Sequence, residues 1–345
     1  MFLDKKFLKK IIVSIDSNIL DVIANLNASE TKIVLVVDKN KKFVGIINDG
    51  DIRRAFSKGY NLKDSIKLIL NKKPFIVHTI DELNKLSNHT LNTFIHIPII
   101  QNNKIKTLYV TDLFMNRLSK KKHNYNIVIM AGGFGKRLGY LTKQCPKALL
   151  KFNGQPLLKY ILEHIKKNNF YNVFISVFYL KKMIKDFIYN NDSFSLNIKF
   201  IEEKYPLGTI GSIRLIKKIT TDFIVMNCDV ISDVDLSELI KFHKKKKSIL
   251  TIATKYLQYK NPYGVVISRA NKFISFKEKP EIDFSINSGI YVFNKKVITI
   301  MNRLNINNIE ILIMTLKKKR YKIFTYPLIE NWRDLGSDKD NLKKY

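Results

Sequence analysis

Ile127-Val128-Ile129-Met130-Ala131-Gly132-Gly133-Phe134-Gly135-Lys136-Arg137-Leu138 is the stretch that decides the reading. Its first four residues form an unbroken apolar run, as in a strand buried on both faces. Gly132, Gly133 and Gly135 follow at once, then Lys136 and Arg137. Glycines let a backbone come close to a ligand and turn its N–H groups toward phosphate oxygens. The spacing excludes two common phosphate loops. Leu138 stands three positions after Gly135, so this is not G-x-G-x-x-G, and no Lys-Ser or Lys-Thr closes a Walker A loop. A glycine loop alone says little; here it comes with Lys136 and Arg137, then Leu141-Thr142 and Pro146-Lys147-Ala148-Leu149-Leu150.

The surrounding sequence agrees. Strands are predicted at Val173–Val177, Ile198–Glu202 and Phe223–Asn227, with helices at Pro156–Lys167, Leu180–Tyr189 and Thr209–Lys218. This alternation implies an α/β fold with a Rossmann-like, mostly parallel sheet, with ligands bound beyond the carboxyl ends of its strands. Upstream, the polar and basic run Ser119-Lys120-Lys121-Lys122-His123-Asn124 reads as a seam. The chain is therefore expected to hold one domain at 1–120, a linker at 121–124 and a second domain at 125–345. Two domains also suit 345 residues at about 150 per domain.

Composition narrows the function classes. Hydrophobic residues make up 46% and charged residues 26%, which is globular and not disordered. The two cysteines, Cys145 and Cys228, form no disulfide framework and suit a cytoplasmic protein. No apolar stretch is long enough to span a bilayer, so no membrane partner is expected. The formal net charge of +32 invites a nucleic-acid reading. The lysines are scattered in short runs such as 244–247, however, which read as solvated helix faces, so no nucleic-acid partner is expected. The positive field favours small anionic substrates. The six histidines show no metal spacing, and His164 and His243 read as helix-surface residues.

The first part repeats a plan. Ile33–Val37 and Phe43–Ile47 read as strands joined by a turn at Asp38–Lys42, and Asn48-Asp49-Gly50-Asp51 caps a helix expected to start at Ile52. His96–Ile100 and Ile105–Val110 repeat the hairpin, and Thr111-Asp112 opens a helix at Leu113. Asp51 and Asp112 can each be explained as helix caps alone. The segment Gly45-Ile46-Ile47-Asn48-Asp49-Gly50-Asp51 resembles the CBS family, and the duplication resembles a CBS pair of βαββα units, regulatory or oligomerising. The resemblance implies an adenine nucleotide contacted by Asp51 and Asp112. Asn48 replaces the usual Thr, and Lys106 and Tyr109 depart from the pattern in the second half.

From Ala131-Gly132-Gly133 through Pro146-Lys147, the second part resembles sugar-phosphate nucleotidyltransferases, and the likeness runs over 125–336. It implies that Ala131, Gly132, Gly133 and Gly135 hold a nucleoside triphosphate, with Arg137 and Lys147 on its phosphates. Phosphoryl transfer needs a divalent cation, Mg²⁺ on this resemblance, and Asp229 and Asp334 match the metal-ligand positions. Glu203, Gly208 and Thr209 lie in a segment that looks like the family's loop bordering the base and sugar. Gly264, Glu278, Asn287 and Gly289 match sugar contacts, and Lys279 of Glu278-Lys279-Pro280 matches the residue that holds the sugar phosphate. Cys228 stands where the family often has Gly and reads as an apolar filler.

The resemblance implies coupling of a nucleoside triphosphate to a sugar 1-phosphate in a homo-oligomer. Pro206-Leu207-Gly208-Thr209 looks like the mannose-1-phosphate guanylyltransferases. CBS repeats ahead of such a domain resemble the glucosamine-1-phosphate guanylyltransferases of legionaminic acid synthesis, which favours GTP with glucosamine 1-phosphate. Mannose or heptose 1-phosphate, or UTP, CTP or TTP, remain open, as does an inactive nucleotide-sensing CBS regulator.

Overall fold

The computed structural model describes residues 2–29, 31–91, 93–111, 123–191, 194–217, 219–336 and 342–343. Asp112, the helix expected from Leu113 and the first half of the expected linker lie outside these residues. The chain divides into two compact units, Met1–Lys120 with Tyr256–Ser285, and Lys121–Lys255 with Ile286–Tyr345. The sequence reading keeps 256–285 with the second part; in the structure this arm clusters with the first.

The second unit is built on a seven-stranded sheet. Its order is Asn197–Glu202, Phe170–Val177, His123–Met130, Phe223–Asn227, Glu281–Phe293, Leu250–Lys260, Ile323–Leu328. The first four strands are mutually parallel, and Glu281–Phe293 runs antiparallel to Phe223–Asn227. Ile127, Val128 and Ile129 are fully buried, as a strand covered on both faces requires. Chain order along the parallel strands reverses beside His123–Met130, so the crevice between Met130 and its register partner Asn227 is the switch point where such sheets bind ligands.

Helices cover the sheet with apolar faces. Leu157–Lys167 buries Leu157, Leu158, Ile161, Leu162 and Ile165 at the expected helical spacing. The helix expected at Thr209–Lys218 is only a 3₁₀ segment, Gly211–Leu215. Tertiary bonds supply the reason: Ile210 N–H donates to the carbonyl of Asn307 at 3.0 Å, and Ile309 N–H donates to Thr209 Oγ1 at 2.9 Å. His243 also departs from its reading. It is 1% exposed, on the buried side of the helix Leu236–Lys245, and its Nδ1 pairs with Thr251 Oγ1 at 2.8 Å. Burial lowers its pKa to about 4.

In the first unit the first repeat runs strand Ile12–Ser14, helix Ile19–Ser29, strands Ile33–Val37 and Phe43–Asn48, helix Asp49–Ser57. This is a βαββα order. The second repeat begins alike: Val77 bridges Ile99 in parallel, a helix follows at Ile80–Asn84 with Thr79 as its N-cap, and His96–Gln101 pairs with Lys104–Val110. The halves meet in a core of Leu8, Ile11, Ile33, Leu35, Ile46, Leu108 and Val110, and the second half has a cluster of its own at Val77, Leu83, Ile97 and Ile99. No helix among the described residues is long and apolar enough to cross a membrane.

Candidate active site

The strands His123–Met130 and Phe223–Asn227 end together, and both deliver site residues. Cys228 N–H donates to the Met130 carbonyl at 3.3 Å, tying the glycine loop to the segment that carries Asp229. Gly132 packs directly on Glu203: a Cβ there would stand 2.6 Å from Glu203 Oε1. Gly133 faces open space. Gly135 has φ +66°, and Thr142 Oγ1 donates to its carbonyl at 3.1 Å, which turns the loop into the segment Lys136–Thr142. Arg137 is exposed and has no hydrogen bond or ion pair among the described residues. It is free to meet an anion.

Asp229 and Asp334, far apart in sequence, are brought together by pairing. Val230–Ser232 runs antiparallel to Trp332–Asp334 with Val230 opposite Asp334, and Leu335 N–H donates to the Asp229 carbonyl at 2.9 Å. Lys147 Nζ forms an ion pair with Asp229 Oδ2. The three groups converge above Gly336. A Cβ built on that glycine would overlap Asp229 Oδ2 and stand 2.7 Å from Lys147 Nζ and 2.9 Å from Asp334 Oδ1. A small space ringed by two carboxylates and an ammonium is thus kept open by a missing side chain. Among the described residues no group of three or more His, Cys, Asp or Glu could hold a metal. Two carboxylates alone suit a cation that takes its remaining ligands from phosphate oxygens and water. Cys228 is 6% exposed, and burial followed by the Asp229 charge pushes its thiol up to about 12, so it stays protonated.

Asn287 and Gly289 border the same strand end. Gly289 has φ +76°, and a Cβ there would stand 2.8 Å from Asn227 Nδ2. Asn287 Nδ2 donates to Tyr291 OH at 2.7 Å and its Oδ1 accepts from Gly289 N–H at 3.1 Å, while Trp332 Nε1 donates to the Ser288 carbonyl at 2.9 Å.

The remaining expected residues have the following surroundings. The Glu203 carboxylate is buried, accepting from Ser176 Oγ at 2.6 Å and Leu207 N–H at 3.0 Å. It braces the loop from within the fold. Gly208 and Thr209 dock on Asn307 and Asn308, where Thr209 Oγ1 caps the helix Ile309–Lys318. Gly264, Glu278 and Lys279 lie in the arm of the first unit, where a Cβ on Gly264 would stand 3.0 Å from Glu278 Oε2. Asp51 is the N3 residue of the helix Asp49–Ser57, which starts three residues earlier than expected with Asn48 as its N-cap. Both its oxygens are engaged, Oδ2 with Asn48 N–H at 2.9 Å and Oδ1 with Arg54 Nη2 at 2.5 Å.

Sequence reasoning missed Gly336, Asn227 and Ser176. A glycine two residues after Asp334 was the visible signal for the first; the others had none, because only folding puts them beside Gly289 and Glu203.

Fold and site define an α/β protein whose switch point carries a glycine loop, two carboxylates and a lysine. Residues 126–344, well over half of the chain, match the nucleotidyl transferase family, and residues 7–58 match the CBS domain. The chain belongs to the nucleotidyl transferase family and carries an N-terminal CBS domain. It is 32% identical over 225 residues to a mannose-1-phosphate guanyltransferase of Yarrowia lipolytica, covering 62% of this chain and 61% of that one. It is 33% identical over 224 residues to the mannose-1-phosphate guanyltransferase beta-B of Xenopus laevis, covering 62% of each. The matches thus span about six-tenths of the length of these relatives. A crystal structure from Bacillus anthracis, assigned as a glucose-1-phosphate thymidylyltransferase, shares the fold with TM-score 0.50 and 20% identity over 62% of this chain and 90% of that one.

Proposed function

We propose that this protein joins a nucleoside triphosphate to a sugar 1-phosphate, releasing pyrophosphate and forming a nucleotide sugar. The observation that carries this is the convergence of Asp229, Asp334 and Lys147 over Gly336 at the switch point beside the glycine loop. An oxygen of the sugar 1-phosphate attacks the α-phosphorus in line, and the pyrophosphate leaves on the opposite side. Backbone N–H groups of 131–135 bind the triphosphate, Arg137 and Lys147 offset charge on its oxygens, and Lys279 of the arm takes the acceptor phosphate. Such transfer needs positioning and electrostatics, with no enzyme nucleophile, which fits a protonated Cys228. A divalent cation, Mg²⁺ on this reading, would be held by Asp229 and Asp334 and would supply charge neutralisation on the phosphates.

GTP with glucosamine 1-phosphate is the favoured pair. The guanyltransferase relatives support the base, and the CBS fusion supports the sugar. Glu203 would act on the base through the loop it braces. The CBS halves would form a pair open to an adenine nucleotide, in a cytoplasmic homo-oligomer. The test is a pyrophosphate-release screen of GTP, UTP, CTP and TTP against glucosamine, mannose and glucose 1-phosphates. GTP is expected to exceed the others at least tenfold in kcat/KM. A faster UTP or CTP reaction refutes the base, and no release with any pair refutes the activity and leaves the sensor reading.

A further inference from the structure

We propose that Phe56 and Lys63 of the N-terminal repeats are positioning residues for the arm 256–285, and so set the affinity for the sugar 1-phosphate. The inference rests on the proposed role of Gly264, Glu278 and Lys279 in binding that substrate. The arm clusters with residues 1–120, and two contacts hold it. The Phe56 ring stacks on Tyr256 with centroids 4.2 Å apart and planes 23° apart. Lys63 Nζ forms an ion pair with Glu281.

The two contacts grip both legs of the arm. Tyr256 lies on the outgoing strand Leu250–Lys260, eight positions before Gly264, and Glu281 opens the returning strand Glu281–Phe293, two positions after Lys279. The legs are joined near the same point, where Asn261 N–H donates to the Pro280 carbonyl at 3.1 Å. Lys279 has φ +40°, a left-handed backbone held between Glu278 and that bonded proline. A change at the root of the legs therefore moves the residues that would meet the acceptor.

The other side of each contact is rigid. Phe56 is 5% exposed, in the last turn of the helix Asp49–Ser57. Lys63 sits between Leu62 and Asp64, whose carbonyls accept from Leu20 and Ile19 N–H at 2.9 and 3.0 Å. An aromatic stack on a fixed ring and an ion pair on a fixed backbone orient a hairpin that has only two strands of its own, Val265–Arg269 and Lys272–Lys277. An exposed lysine pair by itself is weak; the stack is the stronger grip.

The test measures KM for each substrate separately in the full chain. Tyr256→Ala combined with Lys63→Met is expected to raise KM for the sugar 1-phosphate about tenfold, which is about 1.4 kcal/mol. KM for the nucleoside triphosphate and kcat should stay within twofold. Tyr256→Phe and Lys63→Arg should keep the wild-type KM, since the stack and the pair survive. A merely structural role would move both KM values or neither, and either result overturns the inference. Lys279→Ala, run in parallel, separates the two levels. If it raises the sugar-phosphate KM and the arm-root variants do not, only the positioning role fails. If Lys279→Ala also leaves that KM unchanged, the acceptor role of the arm fails and the inference with it.

Discussion

The helix start at Asn48–Asp51 and the strand end at Asn227–Asp229 look alike in sequence, each an apolar strand followed by Asn and an acid. The structure uses them in opposite ways. Asp51 is engaged within three residues on either side, by a reciprocal capping bond with Asn48 and an ion pair with Arg54. Asp229 has no such local partner in its side-chain bonds; its ion pair comes from Lys147, and it shares the space over Gly336 with Asp334. A carboxylate satisfied by its own helix turn is accounted for by capping alone. One satisfied only by residues far along the chain depends on the fold for its surroundings, which suits the role proposed for Asp229.

The contrast can be broken most directly at Asp229. Asp229→Asn keeps the shape and removes the charge. Turnover is expected to fall on the order of a thousandfold, about 4 kcal/mol of transition-state stabilisation, with an unchanged circular dichroism spectrum. Near-normal turnover would place Asp229 with Asp51. Gly336→Ala sharpens the same point without touching a charge. Its new methyl group overlaps Asp229 Oδ2, so kcat should drop about a hundredfold, about 2.7 kcal/mol, while the melting temperature shifts by only a few degrees. An active, normally stable alanine variant would show that the space over Gly336 has no role.

His243 tests a buried polar group between these extremes. Its Nδ1 is paired with Thr251, while its Nε2 has no hydrogen bond among the described residues and stands 3.7 Å from Asp222 Oδ2. The folded protein keeps the ring neutral down to about pH 4, whereas an unfolded histidine takes its proton near pH 6.5. Between those values the unfolded state binds more protons, so stability falls as pH is lowered. Urea unfolding at pH 6.5 and 5 should show wild type losing about 2 kcal/mol more than His243→Gln. Equal losses would mean that the ring is not held neutral. The smallest effect is expected at Asp51. Asp51→Ala should cost about 1 kcal/mol of stability through the lost capping bond, read by urea unfolding, with turnover within twofold of wild type. Loss of adenine-nucleotide binding with unchanged stability would instead make Asp51 a ligand contact and remove the contrast with Asp229.

Much of this was legible before folding. Ile127–Met130 reads as a buried strand because an apolar run leaves no solvated face, and Gly132 to Gly135 with the cations after them carry the family resemblance that implies a phosphate loop. The turn at Asp38–Lys42 is local chemistry: Asp38 Oδ1 accepts from Asn40 and Lys42 N–H at 2.9 and 2.8 Å. Thr209–Lys218 was misread because its helical pattern is overridden by bonds to Asn307 and Ile309, a hundred residues away. His243 was misread because one histidine among lysines looks solvated until the sheet packs against it.

By itself, then, the sequence determined the elements whose causes lie within a few residues: the buried strands, the capped helices, the repeat of the first unit and the glycine loop. Only the tertiary structure decided which polar groups are left for chemistry. Pairing of Val230–Ser232 with Trp332–Asp334 brings two carboxylates together, and the Glu203 carboxylate packs on Gly132 beneath the glycine loop. The arm's place with the first unit is of the same kind, with Phe56 stacked on Tyr256. The physical reason is range. Hydrogen-bond capping and hydrophobic periodicity act over one or two turns of chain, whereas a carboxylate's role depends on which distant atoms reach it once the strands have paired.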